Sequence, residues 1–241
     1  MTNLYFIRHA SANASGENYD MLSARGKLQA QALADYFAKW QIFPDTILTG
    51  TLRRQQETAE PLEKILDVQN HPYKLQRLEA LNEILQVTWR SIAEYIAQSD
   101  PRFAKVVEEW QRTKIDDSKR SHVLFYQITE TVLKNWQRDN IPQGIATTDT
   151  CKNFTARVFG FLQSLETLIT NEKHVVIISS GTPLSFLFAK ILDWPHEKNL
   201  FWLKKIWNTS FSQVKKENGQ LVPISINSLP HIPKKELQSL V

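Results

Sequence analysis

The chain has 241 residues, 42% of them hydrophobic and 22% charged, a balance that fits a globular protein and excludes disordered and fibrous classes. Its formal net charge of +4 comes from 29 Lys and Arg against 25 Asp and Glu. That excess is spread along the chain, which speaks against nucleic acid and suits a small anionic partner, since a local field needs only about two or three placed cations. No run approaches the roughly 18 apolar residues of a membrane span, and the start, Met-Thr-Asn-Leu-Tyr-Phe-Ile-Arg, lacks a basic region followed by a long apolar run. With a single cysteine, Cys151, no internal disulfide can form. A cytoplasmic protein without a membrane partner is expected.

In chain order, Asn3 to Ile7 reads as a short buried strand, too brief and too rich in aromatic and branched residues for a helix. A polar loop follows, Arg8 to Asp20. Ser23 is placed as an N-cap, and Ala30, Leu33, Phe37 and Trp40 then recur at helical spacing. Asp45 to Leu48 is a second strand and Thr51 to Leu66 a second helix, which Pro61 is expected to bend or break. Between about Thr88 and Asn171 the pattern is helix after helix, apart from a loop near Asp139 to Thr150. His174 to Ser179 is the clearest strand, and Pro183 to Leu192 returns to helix after Gly181. Finally, Thr209 to Val214 and Gln220 to Ile226 flank Asn218-Gly219, a dipeptide that favours a hairpin turn.

Strands alternating with helices imply an α/β layer structure with a mostly parallel sheet, whose chemistry sits at the carboxyl ends of strands. The seven Trp and twelve Phe can fill one core. A single domain over 1–241 is therefore expected, carrying a helical insertion at about 88–171. In that insertion Trp89, Arg90, Trp110, Arg112 and Lys114 are candidates for an entrance to the site, although the spacing of the two tryptophans favours packing.

Four places carry residues suited to chemistry. Arg8-His9 closes the first strand: a neutral imidazole is a competent nucleophile toward phosphorus, and a guanidinium fork matches phosphate oxygens. A surface Arg-His pair is the plain alternative. Thr49 to Ala59 opens a helix, where an anion would meet unpaired N–H groups. Arg53 reads there as an ordinary solvated residue, and Arg54 as the candidate anion ligand. Glu83, in Leu81-Asn82-Glu83, is either a proton donor to a leaving oxygen or a solvent-facing carboxylate. Ser179-Ser180-Gly181-Thr182-Pro183 suits an anion-holding helix start. It matches neither a G-x-S-x-G elbow nor a G-x-x-x-x-G-K loop, so a serine hydrolase has little support.

Taken in order and spacing, these segments resemble the histidine phosphatase superfamily, which includes the cofactor-dependent phosphoglycerate mutases. Leu4-Tyr5-Phe6-Ile7-Arg8-His9 is similar to the family's strand and Arg-His-Gly motif, and Leu22-Ser23-Ala24-Arg25-Gly26 through Ala30 to its Leu-Thr-x-x-Gly-x-x-Gln-Ala helix start. Leu52-Arg53-Arg54 with Thr58-Ala59 resembles Leu-x-Arg-Ala-x-x-Thr-Ala. Glu83 takes the place of the general acid, Val176 to Leu184 follows the strand ending in His-Gly, and Asn208-Thr209-Ser210 resembles what comes next.

The resemblance implies a three-layer phosphoglycerate mutase-like fold and a phosphatase that needs no metal or other cofactor. In it His9 would attack the phosphorus of a small phosphomonoester, Arg8 and Arg54 would hold its oxygens, and Glu83 would protonate the leaving alcohol. Two departures stand out. Ala10 replaces the glycine after the histidine, a cost if that position needs positive φ. Ser180 replaces the second histidine, as in a bacterial subgroup that this chain resembles, with Thr-Ser-Gly in place of Ser-His-Gly. Slower turnover is implied, and a catalytically weak or inactive phosphate-binding, regulatory member of the same fold is the alternative.

Overall fold

In a computed structural model of the chain, residues 1–13, 19–113, 119–138, 149–169 and 171–240 are described. Strand β1 (Thr2–Arg8) shows why Leu4 to Ile7 are all apolar. It pairs in parallel with β4 (His174–Ser179) and antiparallel with β5 (Phe211–Glu217), so neither of its edges is open. Its side chains alternate between two covered faces. Tyr5 and Ile7 join Leu33, Phe37, Ala59, Leu62 and Leu66 from α1 (Ala24–Lys39) and α2 (Arg53–Val68). Phe6 turns the other way and meets Phe188 of α7 (Gly181–Ile191) edge-on, with ring centroids 6.2 Å apart.

With β2 (Thr46–Thr49), β3 (Lys74–Arg77) and β6 (Gln220–Ser228), the sheet has the order β3-β2-β4-β1-β5-β6. The first four strands of that order are parallel, and β5 and β6 are antiparallel additions. The mostly parallel sheet with helices on both faces is thus the expected α/β architecture. Asn218 and Gly219 turn β5 into β6 with φ of 51° and 76°, the left-handed geometry a two-residue hairpin requires. Thr209, also at positive φ (58°), lies before the strand, which starts only at Phe211.

One expectation is narrowed and one strand is added. Helix α2 runs unbroken through Pro61. The proline removes one N–H donor, but Ala59, Leu62 and Leu66 around it are buried in the sheet-facing core and hold the helix in place. Strand β3 was not anticipated because Lys-Leu-Gln-Arg has no apolar run; backbone pairing to β2 at the sheet edge defines it.

The start of α1 fixes the chain that leaves β1. Ser23 caps it, its Oγ accepting the Gly26 N–H at 3.0 Å and donating to the Ser11 carbonyl at 3.1 Å. Buried Gln29 continues the clamp: its Oε1 accepts the Ser11 N–H at 2.8 Å while its Nε2 donates to the Leu237 carbonyl and Ser239 Oγ.

The chain divides into two compact units, one comprising Met1–Asn13, Asn18–Glu83 and Val158–Val241 and containing the sheet, the other chiefly Ile84–Arg157. The second unit contains α3 (Gln86–Ser99), α4 (Pro101–Thr113), α5 (Lys119–Gln137) and the start of α6 (Cys151–Leu168). Its core is built on Trp136, which packs edge-on against Phe154 and donates from Nε1 to the Asp149 carbonyl at 2.8 Å. Trp89 and Trp110 both pack on Phe125, with ring centroids 6.3 and 5.8 Å away, as their spacing favoured. Arg90 and Arg112 are exposed, and Lys114 and most of the loop expected near Asp139 to Thr150 lie outside the described residues.

Gly26 has no room for a side chain: a Cβ there would lie 2.1 Å from the Ser11 carbonyl oxygen. Gly26→Ala is expected to lower unfolding stability by about 1–3 kcal/mol, read from the urea midpoint. An unchanged midpoint would mean that the Ser11 backbone yields freely.

Candidate active site

The carboxyl ends of β1, β2 and β4 meet at one edge of the sheet, the place where parallel α/β sheets bind ligands. The His9 N–H donates to the Ser179 carbonyl at 2.9 Å and the Gly50 N–H to the Ile178 carbonyl at 3.2 Å, so backbone bonds continue past the strands and fix the loops in register. Past β3, the segment Leu81 to Glu83 is tied in by Ser179, whose Oγ donates to the Leu81 carbonyl at 2.7 Å.

His9 is 5% exposed, and both ring nitrogens have partners that determine its tautomer. Nδ1 lies 2.7 Å from the Ala10 carbonyl, which can only accept, so Nδ1 carries the proton. Nε2 accepts from Arg54 Nε at 3.2 Å and therefore holds a lone pair. Burial, then the Arg54 charge, then the Arg8 charge push its pKa well below 6.5, against the opposing pull of the Ala10 carbonyl. The imidazole is neutral near pH 7.

Arg54 is 6% exposed and also donates from Nη1 to Asp20 Oδ1 at 2.6 Å. The other oxygen of Asp20 accepts the Arg53 N–H at 2.9 Å, so this carboxylate also offsets the positive start of α2. The Arg53 side chain is solvent-facing and paired with Glu57, in line with its reading as an ordinary helix residue. Arg8 donates from Nη1 to the carbonyls of Ile206 and Leu240, both at 2.6 Å. Its Nε is buried without a partner and lies against Gly181, where a Cβ would be 3.6 Å away.

Glu83 and Ser180 sit at the start of α7. The Thr182 N–H donates to Glu83 Oε2 at 3.1 Å, doing for this helix what the Ser180 N-cap side chain does not. Fully buried Ser180 Oγ instead accepts from Gln55 Nε2 at 2.9 Å. The structure therefore brings Arg8, His9 and Arg54 together, places Ser180 beside Gly181, and sets Glu83 on the same helix start. Ala10 does not occupy positive φ; its side chain packs with Leu22 and Ala30, so no strain attaches to the missing glycine. Among the described residues, no group of three or more His, Cys, Asp or Glu is placed to hold a metal ion.

Sequence reasoning passed over Gln55, Asp20, Thr58 and the supporting role of Asn208. Thr58 Oγ accepts the Ala10 N–H at 3.0 Å, and Asn208 Nδ2 donates to the His9 carbonyl at 2.9 Å. Gln55 carried one available signal, since it stands where the similar motif has alanine.

The chain matches the family model of the histidine phosphatase superfamily (branch 1) over residues 4–126. None of the curated proteins matches it in sequence. Among solved structures it is similar to a putative alpha-ribazole-5'-P phosphatase from Escherichia coli, with a TM-score of 0.64, 19% identity and coverage of 95% of this chain and 98% of that one. Bacillus stearothermophilus YhfR gives a TM-score of 0.65 at 18% identity, covering 96% and 99%. Phosphoserine phosphatase from Entamoeba histolytica, in complex with 3-phosphoglyceric acid, gives 0.60 at 18% identity, covering 96% and 99%. The strand order, the Arg-His pair closing β1 and the match across residues 4–126 agree: the chain belongs to the histidine phosphatase superfamily.

Proposed function

We propose that this protein is a phosphoric monoester hydrolase that acts in the cytoplasm on a small phosphorylated molecule and passes the phosphoryl group through His9 without a metal. The observation that carries the reading is the His9 ring: buried, neutral, with its proton held on Nδ1 by Ala10 and its lone pair on Nε2 beside Arg54. That is the protonation state a nucleophilic imidazole needs.

In the first step the Nε2 lone pair forms a bond to phosphorus as the bond from phosphorus to the ester oxygen breaks. Glu83, as a carboxylic acid, gives its proton to the departing alkoxide. The ring, now cationic, keeps its Nδ1 proton on the Ala10 carbonyl. Arg54, Arg8 and Ser180 donate to the equatorial oxygens, where charge is spread in the transition state. In the second step Glu83 as carboxylate takes a proton from water, the oxygen attacks phosphorus, and the bond to Nε2 breaks to release phosphate and the neutral imidazole.

A second reading, a weak or inactive phosphate-binding member with a regulatory role, draws on the engagement of both arginines: Arg8 Nη1 with two carbonyls and Arg54 with Asp20. It expects affinity for inorganic phosphate without a covalent intermediate.

The wild-type protein incubated with a phosphomonoester is expected to gain about 80 Da on His9, the mass of one phosphoryl group. His9→Ala should abolish both this adduct and phosphate release, and Glu83→Gln should lower kcat by roughly 10²–10⁴-fold. Undiminished hydrolysis in His9→Ala would refute the assignment; phosphate binding without adduct or turnover in the wild type would favour the second reading.

The neutral ring also has a pH signature. Below 6.5 the unfolded chain binds a proton at position 9 that the folded chain refuses, so stability falls with acidification through the window down to the depressed folded pKa. Relative to His9→Asn, the wild type should lose up to about 1.4 kcal/mol more per pH unit in that window, measured by urea unfolding at several pH values. His231, pushed down to about 4 by burial, and His174, also lowered, act in both proteins and cancel. Parallel stability curves would mean that folded His9 takes up the proton.

A further inference from the structure

Two departures from the family's pattern meet in space. Where the motif around the second arginine reads Leu-x-Arg-Ala, this chain has Leu52-Arg53-Arg54-Gln55, and where the late strand ends in His-Gly it has Ser180-Gly181. Gln55 and Ser180 are 125 residues apart, both fully buried, and joined by the 2.9 Å bond from Gln55 Nε2 to Ser180 Oγ.

The carboxamide has no freedom left. Its oxygen accepts the Leu52 N–H at 3.3 Å, as a glutamine at the third helical position can. Its nitrogen gives one proton to the Leu81 carbonyl at 2.9 Å and the other to Ser180. Helix capping alone accounts for the oxygen and for neither of the nitrogen's bonds. Gly50 is left bare for this side chain, since a Cβ there would stand 1.9 Å from Gln55 Oε1.

Because Ser180 Oγ accepts from Gln55, its own hydrogen is turned away from that partner, and among the described residues it forms no hydrogen bond as a donor. Beyond Gly181 lies Arg8 Nε, also a buried donor without a partner. Two donors near one helix start, one of them on a cationic guanidinium, suit an acceptor that carries negative charge.

We infer that Gln55 is a positioning residue: it sets the Ser180 hydroxyl as a fixed, uncharged donor to a phosphoryl oxygen, so that the pair stands in for the single imidazole of the family's pattern. The inference rests on the phosphoryl-transfer reading above and deepens it. It also binds three parts of the site through one side chain, because Gln55 links the start of α2, the segment leading to Glu83 and the start of α7.

The test is a double-mutant cycle with Ser180→Ala and Gln55→Leu, read as kcat and KM for p-nitrophenyl phosphate and as Kd for inorganic phosphate. Ser180→Ala should lower kcat by roughly 10²-fold, Gln55→Leu nearly as much, and Gln55→Leu placed on Ser180→Ala should add less than about twofold. Gln55→Glu keeps shape but draws the serine hydrogen to itself, and should lower kcat in the wild-type background alone. The Gln55→Ala, Ser180→His pair should recover turnover and acquire a titration near pH 6–7 that the wild type lacks. Should Gln55→Leu be silent, or cost as much without the Ser180 hydroxyl as with it, Gln55 is a structural residue and the inference falls. In a protein that binds phosphate but forms no phosphohistidine, the catalytic reading fails while the same cycle in Kd, with an expected weakening of about tenfold, still decides on Gln55.

Discussion

The site depends on a histidine ring whose two nitrogens are told apart. Buried at the end of β1, His9 has a carbonyl on one side and a guanidinium on the other, and neither partner tolerates the opposite tautomer. The Ala10 carbonyl can only accept and Arg54 can only donate. A solvated imidazole would exchange between tautomers and be partly protonated near its ordinary pKa; this one is neutral with a defined lone pair. The fold contributes the burial that is the largest cause of that state. Leu4 to Ile7 are covered on both faces, so the residues after them emerge inside the protein.

The positive charges around the ring are held rather than merely nearby. Arg8 reaches the carbonyls of Ile206 and Leu240, and a chain of bonds runs from the Ser11 N–H through Gln29 and Ser239 to Asn208, whose amide returns to the His9 carbonyl. Residues 237–240 thereby support the loop after β1 from the far end of the sequence. Asp20 does a comparable job for Arg54 while facing the start of α2. Such engagement fixes side-chain geometry before a ligand arrives, which lowers the ordering cost of binding. On the proposed reading, an incoming phosphate would compete with Asp20 for Arg54.

Much of this was legible in the sequence because it depends on local signals. Continuous apolar runs marked β1 and β4, Ser23 marked a helix start, and Asn218-Gly219 marked a turn. Arg8-His9, Arg54 and Ser180 drew notice because they follow strands, where parallel sheets carry chemistry. Strand β3 escaped notice since its definition lies in pairing to β2, not in Lys-Leu-Gln-Arg itself. Asp20 and Gln55 escaped for a related reason: a polar side chain gains meaning from its partner, and those partners are 34 and 125 residues away. Pro61 leaves α2 unbroken, because the local rule about helix interiors is outweighed by burial of Ala59, Leu62 and Leu66.

If the site binds phosphate as proposed, the absence of the second histidine is easily taken for lost function, yet the charge balance argues otherwise. On the phosphoryl-transfer reading a phosphomonoester approaches as a dianion at most, and Arg8 together with Arg54, once the ligand takes the place of Asp20 on it, would supply two guanidinium charges. A third cation in so buried a space would carry a desolvation cost and would depress the His9 lone pair's basicity further, as the two arginines already do. Hydroxyl and carboxamide dipoles add direction without adding charge. In a low-dielectric pocket a donor held in place contributes much of its stabilisation through orientation, since no reorganisation is needed when charge develops. Exchanging an imidazole for a serine is thus a small chemical loss when something fixes the hydroxyl, and a large one when nothing does. The decisive residue for judging the exchange is then the glutamine behind the serine.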